Sequence, residues 1–88
     1  MVRKHIFFSG RVQEVGFRYR SYYFAQQLKL TGWVQNLYDG RVEMEVQGTE
    51  RDICELIEQL RNQRFIEIEH IEMEELPIKK EKGFYMAN

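Results

Sequence analysis

The spacing of apolar residues switches repeatedly between period two and a helical period within 88 residues, and this alternation limits the fold more than any other feature. Residues 3–9 alternate, with Lys4, Ile6 and Phe8 on one face and Arg3, His5 and Phe7 on the other, which predicts a first strand. Residues 10–16 form a loop bracketed by Gly10 and Gly16. From Phe17 to about Leu30 the spacing is helical, with Phe17, Ser21, Phe24, Ala25 and Leu28 on one stripe, and Thr31-Gly32 ends the helix. Strands are predicted at 33–38 and 41–47, joined by Asp39-Gly40, a pair suited to a two-residue turn with positive φ at both positions. Val42, Met44 and Val46 face inward on the second of these, and Arg41, Glu43, Glu45 and Gln47 face outward. A second helix is predicted over about 50–62, with Thr49 as N-cap and Ile53, Leu56, Ile57 and Leu60 as its buried stripe. Residues 65–74 read as a strand with a fault. Ile66 and Ile68 share one parity, Ile71 and Met73 the other, and a bulge near Glu69-His70 reconciles them. After Leu76-Pro77, residues 83–87 make a short last strand anchored on Phe84.

That order, β-α-β-β-α-β with a short extra strand, predicts the α+β class. The arrangement is a ferredoxin-like sandwich, an antiparallel sheet with two helices on one face. The first two strands then run parallel with the third between them. The loop after the first strand and the far end of the second emerge at one edge of the sheet, about 10 Å apart by strand spacing.

Size and charge narrow the functions available. Residues 1–88 suffice for a single domain with one core. A net charge of −1 supplies no global field for nucleic acid, although a local anion site stays open. The lone Cys54 permits neither an intrachain disulfide nor a cysteine-based metal site, which fits a reducing compartment. No apolar run is long enough to span a membrane, and the polar N-terminus does not read as a signal peptide. A cytoplasmic protein is expected.

The loop from Gly10 to Arg18 carries the functional signal. A glycine-bracketed turn between strand and helix can aim several backbone N–H groups into one hollow. The first helical turn adds its unsatisfied donors and the positive end of the dipole. Arg18 sits in that turn, and its planar fork suits two oxygens of a phosphate. Asn36 is poor for strand propensity, so a functional reason is preferred for it.

Gly10-Arg11-Val12-Gln13-Glu14-Val15-Gly16-Phe17-Arg18 resembles the acylphosphatase signature G-x-V-Q-G-V-x-F-R. Gly32-Trp33-Val34-Gln35-Asn36 resembles its second motif, G-W-V-x-N. Asp39-Gly40-Arg41-Val42-Glu43 and Val46-Gln47-Gly48 continue the match. The resemblance implies hydrolysis of acyl phosphates to carboxylate and inorganic phosphate, with no metal, cofactor or covalent intermediate. It implies that Arg18 and the amides of Val12, Gln13, Glu14, Val15, Gly16 and Phe17 hold the phosphoryl group. It also implies that Asn36 positions the attacking water. The expected partner is a small acyl phosphate, with phosphate or sulfate able to fill the loop. Nucleic acid and membrane are not expected partners, and the chain is expected to be a monomer. One position departs from the family, which has glycine where this chain has Glu14.

Two other readings compete. An RNA-binding module is one, since ferredoxin-like sheets can present aromatics for stacking. Against it, the outward residues Arg41, Glu43, Glu45 and Gln47 include no aromatic. The other is a catalytically impaired acylphosphatase-like domain that binds an anion or a partner, with Glu14 as the mark of lost activity.

Overall fold

A computed structural model describes residues 1–88. The elements are β1 (Val2–Arg11), α1 (Phe17–Gln27), β2 (Thr31–Asn36), β3 (Val42–Gly48), α2 (Glu50–Arg61), β4 (Glu67–Leu76) and β5 (Phe84–Met86). They build one sheet in the order β4-β1-β3-β2-β5. Every pairing is antiparallel except β5 on β2, which is parallel and makes the five-stranded sheet mixed. As the spacing predicts, β3 lies between β1 and β2. Ile6 and Phe8 of β1, Val34 of β2, Met44 and Val46 of β3 and Phe84 of β5 share one core cluster with the buried residues of both helices. Each such side chain contributes about 1.5–3 kcal/mol when fully buried.

Phe8 in β1 and Phe17 at the start of α1 flank the loop between them. Their rings pack at 5.0 Å between centroids. With Val12, the first residue of the loop, also buried, the loop is anchored to the core at both ends.

The elements differ from the sequence expectation at their ends. α1 stops at Gln27 rather than near Leu30. Lys29 takes a left-handed φ of 58°, its N–H donates to Gln26 O, and the Leu30 N–H donates to Ala25 O. Those bonds form a helix-ending motif that usually has glycine at the left-handed position, and here a lysine takes that place. β2 begins at Thr31 and ends at Asn36, two residues earlier than expected at each end. The hairpin that follows has a longer loop than a two-residue turn. Leu37 N–H donates to Arg41 O, Gly40 N–H donates to Leu37 O, and only Gly40 takes a positive φ. Asp39 instead accepts from the Arg41 backbone N–H at 3.1 Å and from its Nε at 2.9 Å.

β4 shows the expected bulge. Ser9 pairs with His70 and Gly10 with Ile68, so Glu69 is the extra residue. There the β4 backbone presses on Gly10, where a Cβ would lie 2.4 Å from Glu67 O and φ is +122°. Only glycine fits that contact.

To reach β5 from β4 the chain must pass from one edge of the sheet to the other. Arg3 and Gln47 fasten this crossing. Gln47 was expected to face solvent, yet it is buried, accepting from Lys79 N–H and donating to Lys79 O. Arg3 is 1% exposed and binds Glu45, Gln47 and Glu81. Burial alone would push the Glu81 carboxyl up, but the hydrogen bond and charge of Arg3 outweigh it and hold it below the ordinary value. The stability from this depressed carboxyl is present above its ordinary pKa of 4.5 and is lost as pH falls through the lower folded value. Glu81→Gln is expected to cost about 2 kcal/mol near neutrality. The difference from the parent should shrink as pH falls through the lowered folded value. Urea denaturation across a pH series measures this, and a pH-independent difference contradicts it.

Candidate active site

β1 delivers the chain into the loop at Val12, and the loop ends where Gly16 caps α1. Gly16 takes φ 80°, a left-handed turn suited to glycine, and no side chain caps the helix. The first bond of the helix runs from Arg20 N–H to Gly16 O at 2.9 Å. None of the backbone N–H groups from Val12 to Tyr19 donates to a protein acceptor. Backbone donors are normally paired wherever the protein can pair them. A continuous run left free at a helix N-terminus is suited to an anion.

Most of the residues of this run border a hollow of about 190 Å³. Val12, Glu14, Gly16, Phe17 and Arg18 line it, and Asn36 reaches it from the end of β2. The topology therefore brings Arg18 and Asn36 to one place, as expected from two parallel strands with a third between them. The side chains of Gln13 and Val15 do not line the hollow. Gln13 instead donates to Leu37 O at 2.8 Å and to Arg41 O at 2.9 Å, which fastens the loop to the β2–β3 hairpin. Val15 packs against the core.

Three lining residues had no functional reading in the sequence: Tyr19, Met86 and Asn88. Tyr19 follows Arg18 and is 66% exposed. Met86 and Asn88 reach the site only because β5 runs beside β2. Asn88 accepts from Arg18 Nη1 through Oδ1 at 2.9 Å and through its main-chain oxygen at 2.6 Å.

The chemistry on offer is a guanidinium, a row of free N–H groups and one amide. Arg18 is paired with no Asp or Glu side chain. Asn36 Oδ1 is buried and has no protein partner. No group of three or more His, Cys, Asp or Glu side chains is placed to hold a metal ion.

Glu14 is exposed at the rim of the hollow, with a left-handed φ of 62°. A carboxylate about 5 Å from a bound phosphate charge would cost ~3 kcal/mol at an effective dielectric near 20, and less when solvent and salt screen it. Glu14→Gly is therefore expected to lower KM and the phosphate inhibition constant severalfold at low salt, with little change in kcat. The gain should fade as salt rises. Steady-state kinetics across a salt series check this, and a variant indistinguishable from the parent at low salt refutes the electrostatic reading.

Fold and hollow together define a small α+β protein with a hollow, lined by free N–H groups and one arginine, where its first strand passes into its first helix. The acylphosphatase family model matches residues 4–86. An acylphosphatase of Bifidobacterium longum is 44% identical over 79 residues, covering 89% of this chain and 81% of the relative. An acylphosphatase of a Nostoc species is 58% identical over a shorter stretch of 55 residues, which is 62% of this chain and 54% of the relative. The crystal structure of acylphosphatase from Bacillus subtilis superposes over the full length of both chains with a TM-score of 0.92 and 34% identity. The chain belongs to the acylphosphatase family.

Proposed function

We propose that this chain hydrolyses acyl phosphates to a carboxylate and inorganic phosphate at the hollow between the 12–18 loop and the end of β2. The observation that carries this reading is the run of N–H groups without a protein acceptor from Val12 to Tyr19, beside a hollow that Arg18 and Asn36 also line. Phosphoryl transfer asks mainly for positioning and charge stabilisation. Fixed amides and one guanidinium supply that to the equatorial oxygens without reorganisation during the reaction.

In this mechanism Asn36 holds the water, with Oδ1 accepting one of its hydrogens. The water oxygen forms a bond to phosphorus as the bond from phosphorus to the acyl oxygen breaks. The carboxylate leaves with the electron pair of that bond. The water's proton passes to a phosphoryl oxygen, so the site needs no side-chain base. Membership of the acylphosphatase family favours this reading over an impaired anion-binding domain.

Several further features belong to the same proposal. One buried cluster spans both helices and four of the five strands, which supports a single domain over residues 1–88. The glutamates at 67, 69, 72, 74 and 75 lie exposed on edge strand β4, which supports a monomer by discouraging edge pairing. The same acidic edge and the net charge of −1 disfavour nucleic acid. No helix is long and apolar enough to cross a membrane. The exposed free thiol of Cys54 supports a reducing, cytoplasmic setting.

Hydrolysis of benzoyl phosphate, followed by loss of its absorbance, tests the proposal. Activity should be unchanged by EDTA, because the proposed donors are N–H groups and a guanidinium, none of which ligates a cation. A protein that neither turns over benzoyl phosphate nor binds inorganic phosphate is not the enzyme proposed.

A further inference from the structure

We infer that Asn88 is a positioning residue for the reaction, joining Arg18 to Asn36 and turning one edge of the guanidinium towards the phosphate. The inference rests on the roles proposed above for those two residues. β5 pairs with β2 as far as Met86, and Ala87 N–H continues the contact by donating to Val34 O at 2.8 Å. The carboxamide of Asn88 then takes over from the backbone. Its Nδ2 donates to Asn36 O at 2.9 Å, and its Oδ1 accepts from Asn36 N–H at 3.1 Å. The side chain thereby does for Asn36 what the peptide group of a neighbouring strand residue would do.

The same Oδ1 also accepts from Arg18 Nη1 at 2.9 Å, and the main-chain oxygen of Asn88 accepts from that nitrogen at 2.6 Å. One oxygen atom therefore bridges the backbone of Asn36 and the guanidinium of Arg18. Nη1 carries two hydrogens, and both have an acceptor on Asn88. The opposite edge of the guanidinium, Nε–H with Nη2–H, makes no bond to the protein. Two parallel N–H groups on one edge match two oxygens of a phosphate. Oδ1 is an uncharged acceptor, so the side chain helps to orient the guanidinium without itself adding a negative charge. An aspartate at this place would supply the same acceptors to Arg18, but it would neutralise the charge and set a carboxylate against Asn36 O.

The test compares the parent with Asn88→Ala and Asn88→Asp. It measures benzoyl phosphate kinetics, inhibition by inorganic phosphate, and melting temperature. Loss of orientation in Asn88→Ala is expected to lower kcat about tenfold with the melting temperature unchanged. Asn88→Asp is expected to raise KM and the phosphate inhibition constant more than Asn88→Ala does, with the excess reduced by salt. In the parent, inorganic phosphate should shift the Arg18 Nε–H resonance in a nitrogen-15 spectrum, and in Asn88→Ala that resonance should broaden. The inference is overturned if Asn88→Ala keeps kcat and KM within about twofold of the parent. A kcat loss that only follows a loss of melting temperature overturns it as well, as does an Arg18 Nε–H unmoved by phosphate in an active parent. An inactive parent that binds no phosphate is a different failure, because it removes the acylphosphatase reading itself.

Discussion

Arg18→Ala is expected to lower kcat/KM for benzoyl phosphate by at least about 10³-fold, the loss typical when an arginine that stabilises a transferring phosphoryl group is removed. The guanidinium is the only side-chain cation lining the hollow. The loop amides can still bind a phosphate dianion, but they cannot replace a full charge in a partly desolvated site. The fold should survive, since Arg18 is absent from the core cluster and no element is closed by it. Lysine at this position should rescue poorly. Arg18 uses Nη1 for two oxygens of Asn88 while a separate edge stays free, and a single ammonium cannot hold both geometries. The measurement is kcat/KM for the parent, Arg18→Ala and Arg18→Lys, with circular dichroism melts to confirm folding. Near-parental turnover by folded Arg18→Ala would remove the guanidinium from the mechanism.

The parts of this site that could be read in the sequence are those that local chemistry determines. Glycine at 10 and 16, arginine at 18 and a strand-to-helix change of period are enough to mark this loop as a candidate for an anion. The parity fault between Ile68 and Ile71 is enough to place the bulge, which the structure puts at Glu69. The period of the first three strands, with Val42, Met44 and Val46 facing inward, is enough to bring Asn36 to the loop. What stayed hidden depends on long-range contacts that leave no periodic trace. β5 has three residues, too few for a pattern, and its place beside β2 is what carries Met86 and Asn88 to the hollow. Arg3 and Gln47 sit on alternating strands as if for solvent, and only the crossing segment with Lys79 and Glu81 buries them. Gln13 looks like a signature residue for the phosphate, while its side chain ties the loop to the hairpin. Helix and strand ends moved by two or three residues where a lysine, and not a glycine, adopted the left-handed turn.

Asn36→Ala is expected to lower kcat about 10²-fold, with the inorganic phosphate inhibition constant little changed. The substitution isolates the side chain cleanly. The contacts of Asn36 with Asn88 are made by its backbone N–H and carbonyl, which alanine keeps. Arg18 therefore retains its orienting partner and the cradle retains its amides. What disappears is Oδ1, a buried acceptor that no protein group satisfies. An acceptor that no protein group satisfies is free to hold a water. Asn36→Ala should accordingly lose activity while its stability stays within about 1 kcal/mol of the parent. Loss of kcat without loss of stability is the signature of a group kept for catalysis. Asn36→Asp separates the two halves of the amide. It keeps an acceptor for the water but adds a negative charge beside the phosphoryl group, so KM should rise and the rise should weaken with salt. Steady-state kinetics, phosphate inhibition and urea denaturation on the two variants measure all of this. If Asn36→Ala instead loses phosphate affinity in proportion to kcat, the amide belongs to the anion cradle and the water must be held elsewhere.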